Sequence, residues 1–273
     1  MKLFTLYSPL TRFCLVVLAS ASLVTYVHAA PTMMDSGNGG SGKDVQRSGA
    51  SQKSHELNEK GASYAQKGQF EKAEQTLRES VSLDSKNLSA IFNLGSVLIQ
   101  RGKLKEAIYL LDKHAKAAKT DAGLYARLGD AYFSSEKIPE AQAAYEKALQ
   151  LDPTTPKIAA RLGTVYSLRG KLEPAIEQFL HAVKQEPQNT EYLGNLVSLY
   201  IGTNKPEKAV STAKRALQVG PSKELYVSLG AAYELQGEWK NSLIAYQRAK
   251  DLGDSSDELE EKIEALEKKT GVS

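Results

Sequence analysis

A small residue returns along this chain at a fixed interval. Gly61, Gly95, Gly129, Gly163, Val197 and Gly230 are separated by steps of 34, 34, 34, 34 and 33 residues. Three residues after each stands Tyr64, Leu98, Tyr132, Tyr166, Tyr200 or Tyr233. Twelve residues after each stands Ala73, Ala107, Ala141, Ala175, Ala209 or Ser242, and four further on come Leu77, Leu111, Tyr145, Phe179, Ala213 and Tyr246. Four anchors in phase over six copies mean that each copy is one supersecondary unit stacked on the next. The repeated Tyr also explains why 13 tyrosines outnumber 6 phenylalanines and 1 tryptophan.

Each copy reads as two helices. In the third, Tyr125, Leu128, Gly129 and Tyr132 follow helical spacing, the turn Ser134-Ser135-Glu136-Lys137 breaks it, and Ala141, Tyr145, Ala148 and Leu149 form the next apolar face. Gly68, Gly102, Gly170 and Gly237 occupy the turn between helices, where a left-handed residue ends the first helix. Pro139, Pro174 and Pro206 fall in the first turn of the second helix, where a missing N–H costs nothing. Pro153, Pro187 and Pro221 stop it at the copy's end. The small residues let the two helices cross closely, with a bulky side chain filling the space beside them.

Leu-Gly-x-x-Tyr, the later Ala, the aromatic and the terminal Pro resemble the tetratricopeptide repeat. The cleanest copies are 122–155 (Leu128, Gly129, Tyr132, Ala141, Tyr145, Ala148, Pro153) and 156–189 (Leu162, Gly163, Tyr166, Gly170, Ala175, Phe179, Ala182, Pro187). The resemblance implies an all-α chain, a right-handed superhelical solenoid of six helix-turn-helix hairpins at 54–87, 88–121, 122–155, 156–189, 190–222 and 223–256. Residues 257–273 then form a capping helix and tail, with Ser255, Ser256 and Asp257 at its start and Leu259, Ile263 and Leu266 as its one apolar stripe. The fifth copy departs from the pattern. Val197 replaces the small residue and Ala213 replaces the bulky one, which reads as a volume exchange across one helix crossing.

The N-terminus reads as an address rather than as fold. Residues 1–12 carry Lys2 and Arg12 and no acid, and the apolar run from Phe13 to Val27 is followed by Val27-His28-Ala29. Small residues at those two positions fit removal of a signal peptide, residues 1–29, and thus a periplasmic or secreted protein. The alternative is an uncleaved membrane anchor, although the run is shorter than the roughly 20 residues needed to span. Residues 30–53 are Gly- and Ser-rich with almost no bulky apolar side chain, and read as a disordered linker.

Chemistry-bearing constellations are missing from the sequence. The one cysteine, Cys14, lies in the apolar run, so a cleaved chain has no disulfide and no thiolate ligand. His55, His114 and His181 fall at unrelated phases, which gives no metal spacing, and no Gly-x-Ser-x-Gly turn or phosphate-binding loop occurs. The reading is therefore not an enzyme, with no cofactor and no metal. Formal charge is +3, of which Lys2 and Arg12 contribute two, so nothing calls for nucleic acid, or for direct membrane binding once the signal is removed.

In tetratricopeptide solenoids the first helices line a concave groove. By phase, the resemblance places Phe92, Asn93, Ile99, Arg127, Asp130, Phe133, Arg161, Leu168, Asn195 and Ile201 there. Phe92, Ile99 and Phe133 would form an apolar strip, and Arg127 and Arg161 share a phase that suits a carboxylate. The competing reading packs these apolar residues on adjacent hairpins and pairs the arginines with acids such as Asp130. The Lys/Asn carboxylate clamp of some relatives is not matched, since the first copy offers Asn58 and Ala62 at clamp phases. The implied role is an extracytoplasmic scaffold or adaptor for a protein or peptide partner. A structural or oligomerising module of an envelope assembly, or an accessory subunit of an enzyme, stays open as the alternative.

Overall fold

The computed structural model describes residues 49–272. Among these are thirteen α-helices and no strand. They are α1 (Gly49–Gln66), α2 (Phe70–Leu83), α3 (Leu88–Gln100), α4 (Leu104–Ala118), α5 (Ala122–Ser134), α6 (Ile138–Leu151) and α7 (Pro156–Leu168). There follow α8 (Leu172–Gln185), α9 (Thr190–Gly202), α10 (Pro206–Val219), α11 (Lys223–Gln236), α12 (Trp239–Asp251) and α13 (Asp257–Thr270). They fall into two compact units divided between Pro153 and Thr154 along the chain, with three hairpins in the first and three hairpins plus α13 in the second.

The hairpin rests on one crossing. A Cβ placed on Gly61, Gly95, Gly129, Gly163 or Gly230 would come within 2.5–2.8 Å of the side chain sixteen residues later: Leu77, Leu111, Tyr145, Phe179 or Tyr246. No real Cβ sits that close, so hydrogen on the first helix is what allows the bulky group on the second to be buried. Leu77, Leu111, Phe179 and Tyr246 are fully buried, and the Ala of the second helix is too, from Ala73 through Ala209. Ser242, which takes that place in the sixth hairpin, satisfies its hydroxyl by donating to the Gly230 carbonyl at 3.0 Å. In the fifth hairpin Val197 and Ala213 are both fully buried with the volumes reversed.

The turns repeat with the same regularity. The residue four past the recurrent Tyr or Leu has positive φ: 71–72° at Gly68, Gly102, Gly170 and Gly237, but also 58° at Glu136 and 52° at Asn204. The next N–H then donates back to the Tyr or Leu carbonyl, as in Lys137 to Tyr132 and Lys171 to Tyr166, both 2.9 Å. Each closes the first helix by satisfying one of its orphan carbonyls. At the other end Asn87, Asp121, Asn189 and Ser222 accept from the amide three residues on, which caps α3, α5, α9 and α11.

Stacking follows the same plan in both units. The second helix of one hairpin packs on the first helix of the next, as α2 on α3, α4 on α5, α8 on α9 and α10 on α11. First helices also touch one another directly: α1 on α3, α3 on α5, and α9 on α11. In the second unit α13 closes the stack, burying Leu259, Ile263 and Leu266 with Val227, Leu243, Tyr246 and Ala249.

Two expectations need correction. The first helix starts at Gly49, inside the segment read as linker (30–53), because Ser51 Oγ donates to Asp84 Oδ2 at 2.9 Å and so ties the leading turn down. Residues 30–48 and the signal segment 1–29 lie outside the described residues. Ser256 does precede α13 but makes no side-chain cap; its hydroxyl and amide both donate to Asp254 Oδ1, at 2.8 and 3.1 Å.

Polar groups bind the first hairpin to the second. Ser54 and Ser80, both fully buried, donate to each other's carbonyls at 2.9 and 2.6 Å, and Asn87 Nδ2 donates to Ser54 Oγ at 2.9 Å. On the other edge the Glu74 carboxylate accepts from Arg78 (2.8 Å), Arg101 (2.5 Å) and Lys103 (2.8 Å). Burial alone would raise its pKa. The three cations overcome that and hold it at about 2, down from 4.5.

Val197→Gly opens a cavity and adds a helical glycine, so it should cost about 3 kcal/mol. Val197→Gly with Ala213→Leu, which restores the arrangement of the other hairpins, should recover more than half of that in urea denaturation. Two additive losses would refute the exchange. For Glu74 the folded pKa lies below the unfolded one, so its stabilisation is complete above pH 4.5 and is lost as pH falls through 2. Glu74→Gln should lower stability by about 2 kcal/mol at neutral pH and flatten the decline between pH 4.5 and 2. An unchanged acid profile would show the clasp to be without weight.

Candidate protein-binding faces

In the first unit the first-helix face is built on α1, α3 and α5. Asn93 Nδ2 on α3 donates to Asn58 Oδ1 on α1 at 2.8 Å, joining successive hairpins through side-chain amides. Beside it the Arg127 guanidinium on α5 stacks over the ring of Phe92, the residue preceding Asn93 on α3, 4.5 Å from its centroid. Arg127 also reaches Asp130 Oδ2 at 3.0 Å, while Asp130 Oδ1 accepts from the buried Tyr145 hydroxyl at 2.8 Å. The chain Phe92–Arg127–Asp130–Tyr145 therefore runs from the face into the crossing that holds the third hairpin together. A buried tyrosine hydroxyl needs such an acceptor. Tyr246 repeats the device in the second unit, donating to Glu234 Oε2 at 2.8 Å, and burial followed by the Glu234 charge pushes its pKa far up.

The structure thus gives Arg127 partners within its own unit rather than a free guanidinium aimed at a ligand. Phe92 and Ile99 are half-buried and pack on the core of the first unit. Phe133 is half-buried on α5 and Asp130 half-buried below it. In the second unit Arg161 and Leu168 on α7, and Asn195 and Ile201 on α9, are all half-buried. Glu191 on α9 keeps part of its surface in water. Local burial raises its pKa first, against the attraction of Arg161. The placed residues all lie on first helices, α3 and α5 in the first unit and α7 and α9 in the second.

Among the described residues no group of three or more His, Cys, Asp or Glu has the arrangement to hold a metal ion. His114 is partly buried, which with the nearby Lys113 lowers its pKa and favours the neutral ring. A cleft of about 390 Å³ beside Trp239 is crossed by Lys269, whose ammonium sits 3.1 Å from the ring centroid.

Three features were not read from the sequence: the Ser54–Ser80–Asn87 knot, the Glu74 clasp, and the seating of cations on the recurrent tyrosines. The last has a signal in the sequence. Lys137 and Lys171 each follow the turn by one residue and lie 6.0 and 5.9 Å from the rings of Tyr132 and Tyr166. The knot's signal is the exchange of a repeated Ala for Ser80.

Family models of the tetratricopeptide repeat match the chain twice, as a tetratricopeptide repeat-like domain over residues 60–165 and as a tetratricopeptide repeat over 195–257, together more than half its length. The chain belongs to the tetratricopeptide repeat family. Solved structures agree with this fold. A structure described as the functional characterisation of Pseudomonas aeruginosa pilF is 17% identical, covers 81% of this chain and 99% of its own, and superposes with a TM-score of 0.66. MamA is 26% identical over 58% of this chain and 93% of its own, with a TM-score of 0.54. YrrB, described as a tetratricopeptide protein with an unusual peptide-binding site, is 20% identical over 66% and 90%, at 0.52. A comparison with curated proteins found no match.

Tyr145→Phe removes the hydroxyl that Asp130 accepts and should cost about 1 kcal/mol, read as a lower urea midpoint at unchanged m-value. No loss would detach the first-helix face from the hairpin core.

Proposed function

We propose that this chain is a non-catalytic adaptor of the periplasm or cell envelope that holds a segment of a protein partner against the first-helix faces of its hairpins. The observation that carries this is the direct packing of α1 on α3, α3 on α5, and α9 on α11. It makes a continuous surface along α1, α3 and α5 and another along α9 and α11, and the residues half-buried on the first helices are amide, aromatic, aliphatic and arginine side chains rather than a closed core. Such a mixture combines apolar contact with directed hydrogen bonds, as specific interfaces do. The peptide-binding site ascribed to YrrB supports the same use of the fold.

Export is supported by Lys2, Arg12, the apolar run and Val27-His28-Ala29. No helix among the described residues is long and apolar enough to cross a membrane. The first 29 residues are the delivery signal in this reading and residues 30–48 a tether.

Intact-mass measurement of the chain recovered from its own cell should give a mature N-terminus at Ala30; a chain retaining Met1 would contradict cleavage. Phe133→Ala with Arg161→Ala should reduce crosslinked partner recovered from cells by about tenfold or more, with the melting temperature lowered by less than about 3 °C. Capture at wild-type strength would move the site off the first-helix faces of both units.

A further inference from the structure

The outer helices carry a feature that neither the fold nor the first-helix face uses. At the start of a helix the dipole favours an acid. α2, α4, α6, α8 and α10 comply, with Glu71, Glu106, Glu140, Glu173 and Glu207 in their first turns. α12 has no acid there and carries Lys240. α4 carries Lys105 beside Glu106, whose carboxylate is taken by Arg78 at 2.5 Å.

One turn on, the phase two past the repeated Ala or Ser is polar or small in four hairpins: Gln75, Ala143, Glu177 and Ser211. In the other two it is Tyr109, 72% exposed, and Ile244, 56% exposed. A further turn on stand Lys113 and Arg248. The outer faces of α4 and α12 thus read Lys105–Tyr109–Lys113 and Lys240–Ile244–Arg248, in steps of four that align on one helix face. The bulky apolar residue occurs only where both flanks are cations. The corresponding flanks are Glu71 and Glu79 on α2, Pro139 and Lys147 on α6, Glu173 and His181 on α8, and Glu207 and Arg215 on α10.

Charge sharpens the pattern on α4. Its two acids are occupied, Glu106 by Arg78 and Asp112 by Lys116 at 2.7 Å. Lys105, Lys113 and Lys119 enter no ion pair among the described residues. Scattered exposed apolar side chains need no explanation. Two that recur at one phase, each between cations, do need one. Local rules broken together without a gain to the fold mark function.

We propose that the outer face of α4, and separately the matching face of α12, is a docking surface for an acid-flanked amphipathic helical segment of a protein partner. Its complement is an apolar side chain with a carboxylate one turn before and one turn after, which pairs both cations while covering the exposed ring or aliphatic group. An anionic bilayer is the poorer occupant. The adjoining outer helices present Glu71 and Glu79 in the first unit, and Glu173, Glu177 and Glu207 in the second, which such a surface would repel. The proposal stands apart from the first-helix reading, since it uses none of those residues.

The test titrates the full chain lacking its first 29 residues into three probes: a labelled helical peptide with Glu-x-x-x-Leu-x-x-x-Glu, the same peptide with Lys for Glu, and phosphatidylglycerol vesicles. The Glu peptide should bind and the Lys peptide should not. Lys105→Glu, Tyr109→Ser, Lys240→Glu and Ile244→Ser together should weaken binding by about tenfold or more, at an unchanged melting temperature. Raising NaCl from about 50 to about 300 mM should weaken it several-fold, and Phe133→Ala should leave it unchanged. Equal binding of both peptides, or full binding by the four-residue variant, overturns the proposal. So does vesicle binding that the variant loses while the Glu peptide fails to bind.

Discussion

Everything in this molecule depends on one crossing, where a hydrogen atom on the first helix faces a buried side chain sixteen residues later. The separations of 2.5–2.8 Å from an imagined Cβ show how little room there is. Close approach there sets the angle of each hairpin. The angle sets which residues of the second helix meet the next hairpin and which residues of the first helix are left on the opposite face. The binding face is therefore a by-product of packing, and it is coupled to packing through named atoms. Tyr145 fills the third crossing with its ring and, through its hydroxyl, fixes Asp130, which in turn fixes Arg127 over Phe92.

The first hairpin solves the same problem with different chemistry. Its crossing is filled by Leu77 in place of an aromatic ring, and its junction to the second hairpin is carried by buried serines, an asparagine cap and the three-cation clasp on Glu74. Directed polar contacts fix one register where apolar contacts tolerate sliding, and they make that junction sensitive to acid. The last hairpin is closed instead by α13, whose apolar stripe is covered and whose remaining surface is charged.

The repeat, its two helices, the turn glycines and the cap helix were legible in the sequence because each is set by local pattern: period, a left-handed position, a proline or an apolar stripe. The binding face was legible only as a set of phases. Sequence spacing placed Phe92, Arg127 and Asp130 on one side but could not say that they bind each other, since that depends on how far α3 and α5 stand apart. It paired Arg127 with Arg161 by phase alone, where the structure supplies Arg127 with Asp130 and Phe92 at home. The Glu74 clasp was illegible for the same reason: its partners lie up to 29 residues away and meet only after two hairpins stack. The exposure of Tyr109 and Ile244 likewise had to be seen in three dimensions before their common phase carried meaning.

The account's central claim is that the first-helix faces hold a protein partner. A photo-crosslinking amino acid introduced singly in the native cell at Phe133, Leu168, Asn195 and Ile201, with Ala143 and Ser211 on outer helices as references, tests it most directly. The account predicts protein adducts at the first-helix positions and none at the two reference positions. Adducts confined to the outer helices, with the first-helix positions silent, would contradict it.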